Sequence, residues 1–206
     1  METRAQMARF EQMRSILVDR NRFYMQRLKK AKEFTAIPFT TKADVSEDQL
    51  NNPPFGTNLT FRLEDYVRVH QTSGTTGKAI LWLDTAESWD WWLRCWGEVY
   101  KGAGVKPGDR VFLAFSFGPF IGFWAAFEAA VKYGAMAISG GSLSTEQRVN
   151  AIVERGATVL ACTPTYALRL AEVARAQGID CSKSDVRITV HAGEPGASIP
   201  STRARI

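Results

Sequence analysis

Val111-Phe112-Leu113-Ala114-Phe115-Ser116-Phe117-Gly118-Pro119-Phe120-Ile121-Gly122-Phe123-Trp124-Ala125-Ala126-Phe127 runs for 17 positions without a charged residue. That length is at the lower limit for a membrane span. Gly118-Pro119 interrupts it, however, and Glu128 and Lys132 follow on what would be the same helix. Glycine frees the backbone and proline removes a donor, so the pair punctuates the chain. The stretch reads as a buried strand (Val111–Phe115), a tight turn and a buried helix (Ile121–Tyr133). Its flanks continue in the same style. A helix from about Thr85 to Lys101 precedes it. The strand Ala135–Ser139, the helix Thr145–Glu154, the strand Thr158–Ala161, the helix Thr165–Gln177 and the strand Val186–His191 follow. This alternation predicts an α/β fold, a mostly parallel sheet with helices on both faces. Ligands of such sheets bind outside the carboxyl ends of the strands. The loops at 73–78, 116–120, 140–142 and 192–196 all lie at or just beyond strand ends.

Upstream, residues 6–33 read as one charged helix, with Met7, Phe10, Met13, Leu17, Tyr24 and Leu28 at helical spacing. Ile37–Lys42 is a proline-containing connector, and Asn51-Asn52-Pro53-Pro54 with Gly56 marks a loop. Residues 1–66 are thus an N-terminal helix and connector, and 67–206 an α/β region. Val67–His70 and Ile80–Leu83 are short strands around Thr72-Ser73-Gly74-Thr75-Thr76-Gly77-Lys78. A loop of glycines and hydroxyls ending in lysine suits a polyphosphate: glycine lets backbone amides approach oxygen, and the side chains add donors. Each charge-assisted bond of this kind contributes about 1.5–3 kcal/mol. The Walker loop is excluded. It needs four residues between its glycines and Ser or Thr after the lysine; here only Thr75 and Thr76 intervene and Ala79 follows.

Hydrophobic residues are 45% and charged residues 23% of the 206, a globular balance. The net charge of +5 hints at nucleic acid, but residues 1–34 hold nine Lys/Arg against four Asp/Glu, which is the whole surplus. That pattern is a solvated helix face and not a polyanion site. Cys95, Cys162 and Cys181 have no metal-like spacing. With no apolar signal core at the N-terminus, they read as reduced thiols of a cytoplasmic protein. Neither nucleic acid nor membrane is an expected partner, and no metal-binding set is recognised. Trp89, Trp92 and Trp96 share a helical face and read as packing. His70, His191 and Tyr166 have structural readings as natural as functional ones.

The Thr72–Lys78 loop resembles the signature of the adenylate-forming superfamily, acyl-CoA synthetases and luciferases among them. Within it, the chain looks most like the phenylacetate-CoA ligase family. Ile37-Pro38-Phe39-Thr40-Thr41-Lys42-Ala43-Asp44, Val67–His70 before the loop, Phe115–Phe120, Ser139-Gly140-Gly141 with Gln147, Thr163-Pro164-Thr165-Tyr166 and Gly193-Glu194-Pro195-Gly196 carry the likeness in order over about residues 5–206. Ala79 stands where the family usually has proline.

The resemblance implies part of the large N-terminal domain of such an enzyme, and a reaction in two steps. A carboxylate attacks the α-phosphate of ATP to give an acyl-adenylate, and the thiol of coenzyme A then displaces AMP. ATP, Mg2+ and coenzyme A are the implied cofactors, and an aryl or arylacetic acid the substrate. Thr72, Ser73, Gly74, Thr75, Thr76, Gly77 and Lys78 would hold the phosphates; Gly193, Glu194 and Pro195 would meet the adenine and ribose. Phe115, Phe117 and Phe120 would line the acyl pocket, where ring pairs add about 0.5–1.5 kcal/mol beyond burial. The family's magnesium glutamate and C-terminal lysine have no counterpart in the chain, so catalytic residues are unassigned. The chain alone is expected to be a truncated, inactive portion, with an open sheet edge that leaves room for a homodimer. An adenylating enzyme with a different acceptor, and a non-catalytic nucleotide-binding remnant, are the alternatives.

Overall fold

The computed structural model describes residues 4–31, 33–74 and 78–206. They form two compact units, Met1–Glu87 and Ser88–Ile206. The sequence boundary at 66/67 falls inside the first.

In the first unit, the single helix expected over 6–33 is two: α1 (Arg4–Arg20) and α2 (Arg22–Lys30). Asn21 is the cause. It is buried, takes extended backbone, and its Oδ1 accepts from Tyr24 N at 3.0 Å. Its Nδ2 donates to Asn58 Oδ1 and Thr60 Oγ1, both at 2.9 Å. An asparagine that caps a helix and is tied to a distant loop ends one helix and starts the next. A further helix, α3 (Lys42–Asn51), follows the connector. The Thr41 hydroxyl accepts from Asp44 N and the Asp44 carboxylate from Thr41 N, a reciprocal cap. Strands β1 (Tyr66–Gln71) and β2 (Leu81–Thr85) form an antiparallel pair, with Val69 opposite Leu83. The buried Gln49 amide holds both backbone groups of Leu81, at 2.7 and 3.0 Å.

The second unit holds α4 (Ala86–Gly102), β3 (Arg110–Leu113), α5 (Ile121–Tyr133), β4 (Met136–Ser139), α6 (Thr145–Glu154), β5 (Val159–Cys162), α7 (Pro164–Ala176), β6 (Ile188–His191) and α8 (Pro200–Arg205). The sheet order is β4-β3-β5-β6, all parallel. Side chains alternate across it. Val111, Leu113, Val159 and Ala161 face α4 and α5 with Tyr100, Ala126 and Ala130. Phe112, Leu160 and Cys162 face α6 and α7 with Val149, Ile152, Leu170 and Val173. Helices therefore cover both faces, as the alternation predicted. Of the tryptophans on α4, Trp89 is buried and its indole N–H donates to Glu128 at 2.7 Å, while Trp92 is exposed.

Asp109, buried just before β3, ties the amino ends of the strands together. It accepts from Lys106 N at 2.7 Å, from Thr158 Oγ1 at 2.8 Å, and from Arg187 Nη2 through both oxygens at 2.7 and 2.6 Å. Burial works against its charge, but these donors outweigh it and hold its pKa below the usual carboxylate range. Asp109→Asn is expected to cost about 2 kcal/mol at about pH 7, the scale of hydrogen bonds to a charged acceptor. Because the folded pKa is lowered, this contribution is complete above the unfolded value of about 3.9 and is lost as pH falls through the folded one. Urea unfolding of wild type and variant should converge in acid. A gap that stays constant with pH would show that the carboxylate's charge is not what stabilises.

Candidate functional site

β3 leads through α5 to β4 on one side of the sheet, whereas β5 leads through α7 to β6 on the other. The carboxyl ends of β3 and β5 therefore border the point where strand order reverses, the usual ligand crevice of such sheets. Ser116 and Phe117 follow β3, Gly140 and Gly141 follow β4, Thr163 and Thr165 follow β5, and Gly193-Glu194-Pro195 follow β6.

A cavity of about 550 Å³ opens at the ends of β3 and β4. Phe117, Trp124 and Phe127 form its aromatic side; Ser116, Ser139, Gly141 and Ser142 form its polar side. Phe117 meets Trp124 and Phe127 edge-on at centroid distances of 4.9 and 5.5 Å. Trp124 Nε1 donates to Gly118 O at 2.9 Å and pins the turn. Phe115 lies in the core, stacked on Phe123 at 3.8 Å. Phe120 is 38% exposed at the N-cap of α5. Gly140 is required by close packing: a Cβ there would lie 2.8 Å from Phe112 Cε1 and 2.9 Å from Leu113 O. Trp124 and Phe127 were not singled out from sequence, although they stand three residues apart, one face of a helix that follows an aromatic turn.

Arg148 was not singled out either. It is only 7% exposed. Its Nε donates to Gly140 O at 2.8 Å and its Nη2 to Gly141 O at 2.9 Å, with Ser116 Oγ at 3.4 Å. Its Nη1 donates to Tyr166 Oη at 2.8 Å, and the guanidinium carbon stands 5.2 Å from the Tyr166 ring centre. No sequence signal marks it, since arginine in an amphipathic helix reads as solvent-facing.

The Glu194 carboxylate bridges to the start of α7, accepting from Thr165 Oγ1 at 2.5 Å and Thr165 N at 2.8 Å. The hydroxyl and then the amide hold its carboxyl below the usual range. Gly193 has φ +96°, a left-handed value that suits glycine. His191 Nδ1 lies 3.3 Å from Cys162 O, and burial pushes the Cys162 thiol up to about 12. Such a thiol is not a nucleophile at neutral pH.

The candidate phosphate loop belongs to the first unit. Thr72 closes its base: Thr72 N donates to Ile80 O and Ile80 N to Thr72 Oγ1, both at 3.0 Å. Ser73 and Lys78 are exposed, and Gly74 has φ +66°. Thr75, Thr76 and Gly77 lie outside the described residues. His70, on the strand entering the loop, is buried with Nδ1 3.7 Å from Asp84 Oδ2. Among the described residues, no group of three His, Cys, Asp or Glu side chains is placed to hold a metal ion, and no helix is long and apolar enough to cross a membrane.

No protein-family model matches the chain. Its fold is that of AMP-forming CoA ligases. It superposes on a crystal structure of 2-hydroxyisobutyryl-CoA ligase in complex with 2-HIB-AMP and CoA in the thioesterification state, with TM-score 0.89 and 27% identity over 96% of this chain and 44% of that one. An open conformation of the same ligase gives TM-score 0.88 and 25% identity over 96% of this chain and 49% of that one. In sequence, the chain is similar to curated phenylacetate-coenzyme A ligases. The Thermus thermophilus enzyme is 33% identical over 165 residues, 77% of this chain and 35% of that protein. The Escherichia coli K12 enzyme is 32% identical over 160 residues, 77% and 36%; that of Pseudomonas putida is 30% identical over 163 residues, 79% and 36%. The resemblance drawn from the motifs is therefore borne out, and the chain spans about a third of the length of these relatives.

Proposed function

We propose that this chain forms part of an ATP-dependent, AMP-forming acid–CoA ligase acting on an aryl or arylacetic acid. The observation that carries the reading is the aromatic cavity at the ends of β3 and β4, beside the sheet's switch point, in a chain similar to phenylacetate-CoA ligases. The acid's ring would lie against Phe117, Trp124 and Phe127; of the three phenylalanines expected at the pocket, Phe117 lines this cavity, while Phe115 packs in the core and Phe120 is exposed at the N-cap of α5. The carboxylate attacks the α-phosphorus of ATP and pyrophosphate leaves; the sulfur of CoA then attacks the acyl carbon and AMP leaves. Thr72–Lys78 would hold the departing phosphates, where charge builds in the first step. Gly193-Glu194-Pro195 would meet the nucleotide's base and ribose. Magnesium enters as part of the magnesium–ATP substrate. The enzyme would act in the cytoplasm, a reading supported by three free cysteines and by the supply of ATP and CoA there.

In the complete enzyme, kcat/KM for phenylacetate or benzoate should exceed that for acetate and for a long aliphatic acid by about tenfold or more, the discrimination a shaped apolar pocket achieves. A best substrate among long aliphatic acids would refute the reading. Phe117→Ala should raise KM for the aryl acid by about tenfold while leaving KM for ATP within about twofold, the mark of lost uniform binding at one subsite.

A further inference from the structure

We infer that Arg148 is the positioning residue of this cavity, setting the spacing of its polar wall and so the size of acid it admits. The inference rests on the acyl-cavity reading above. A guanidinium at 7% exposure is costly to bury unless its donors are met. Among the described residues, its hydrogen bonds go to no carboxylate. Two backbone carbonyls and two hydroxyls meet it instead: Gly140 O, Gly141 O, Ser116 Oγ and Tyr166 Oη, at 2.8, 2.9, 3.4 and 2.8 Å. These groups come from three different segments, the loops after β3 and β4 and the first turn of α7. Ser116 and Gly141 are also cavity wall. Gly140 N donates to Leu113 O at 2.9 Å where the pairing of β3 with β4 ends, and beyond that bond one planar fork spans, from behind, the gap between the Ser116 and Gly141 walls. Only a guanidinium does this. A lysine keeps the charge, but its single nitrogen cannot reach carbonyls and hydroxyls in three directions.

The test compares wild type, Arg148→Lys and Tyr166→Phe in two measurements. The first is amide hydrogen exchange on the 206-residue chain, which needs no substrate. Arg148→Lys should speed exchange about tenfold or more at 116–118 and 140–142 while the β3 amides at 111–113 keep their protection, since local opening is separable from global unfolding. Tyr166→Phe removes one acceptor, keeps the ring, and should shift the same two loops less. The second is kinetic, in the complete enzyme. The preference for phenylacetate over naphthylacetate should fall about tenfold in Arg148→Lys, through KM for the acid, with KM for ATP within about twofold. Unchanged exchange in both loops, or a wild-type size preference in Arg148→Lys, overturns the inference. Should Arg148→Lys not fold, Tyr166→Phe alone decides: no change in either loop overturns it. If the exchange result holds but wild type accepts no aryl acid, the proposed substrate class falls while the positioning role stands.

Discussion

Lys78→Ala in the complete enzyme is expected to slow acid-dependent pyrophosphate formation by about 10²–10³-fold, the loss seen when one preorganised donor is removed from developing charge. Lys78 is exposed at the end of the loop whose base Thr72 closes, so its ammonium is available to ligand and not committed to the core. In the first half-reaction, negative charge moves onto the leaving pyrophosphate, and a cation there stabilises the transition state more than the ground state. In the second half-reaction pyrophosphate has already gone. Thioester formation from supplied acyl-adenylate and CoA should therefore stay within about twofold of wild type, since an interaction absent from a step cannot accelerate it. The two rates are separable by pyrophosphate release and by thioester absorbance. Should thioester formation fall as far as adenylation does, Lys78 is not a polyphosphate residue and the reading of the loop is wrong. Removing the side chain of an exposed residue leaves the fold intact, so the split reports on chemistry.

Phe112→Ala should destabilise the second unit by about 3–5 kcal/mol, the range for truncating a buried aromatic side chain. Phe112 is 0% exposed at the centre of β3, opposite Ile138 on one neighbour and Leu160 on the other. Its ring lies under α6 and α7, against Gly140, whose missing Cβ makes room for it. The void would be lined by paired strands, which collapse poorly. Against a total stability of about 5–15 kcal/mol for a domain, the loss is large enough to populate the unfolded state. Phe112→Leu keeps much of the volume and should cost about 1.5 kcal/mol or less. Urea unfolding followed by circular dichroism distinguishes the two. Equal midpoints for wild type and Phe112→Ala would show that the ring is not part of a close-packed core.

Much of the second unit was legible because its signals are local. Helices α5 and α6 occupy Ile121–Tyr133 and Thr145–Glu154, the bounds read from sequence. One ends at Gly134 in left-handed backbone, and the other starts at a Ser144 cap reciprocated by Gln147. The parallel sheet followed from strand–helix alternation, because a parallel return needs a crossover. In the first unit the same reasoning ran Asn21 into one long helix. The heptad-like spacing of Phe10, Leu17 and Tyr24 passes smoothly through it, and the break rests on the Asn21 cap to Tyr24 N together with its bonds to the distant Asn58 and Thr60.

Sequence alone thus determined the fold class, the order of elements from α4 to β6, the Thr72–Lys78 loop as the candidate phosphate site and the aromatic turn after β3. Tertiary structure decided the strand order β4-β3-β5-β6, which aromatic rings line a cavity, and the place of Arg148. The reason is the range of the interactions. Caps, turns and periodicity act within a few residues and are written in neighbouring positions. Phe115 and Phe117 both lie beyond β3 in one aromatic turn, and residue type does not say that Phe115 stacks on Phe123 in the core while Phe117 lines the cavity. Arg148 is held by groups 7 to 32 positions away along the chain, and no local pattern encodes a partner that only folding brings near.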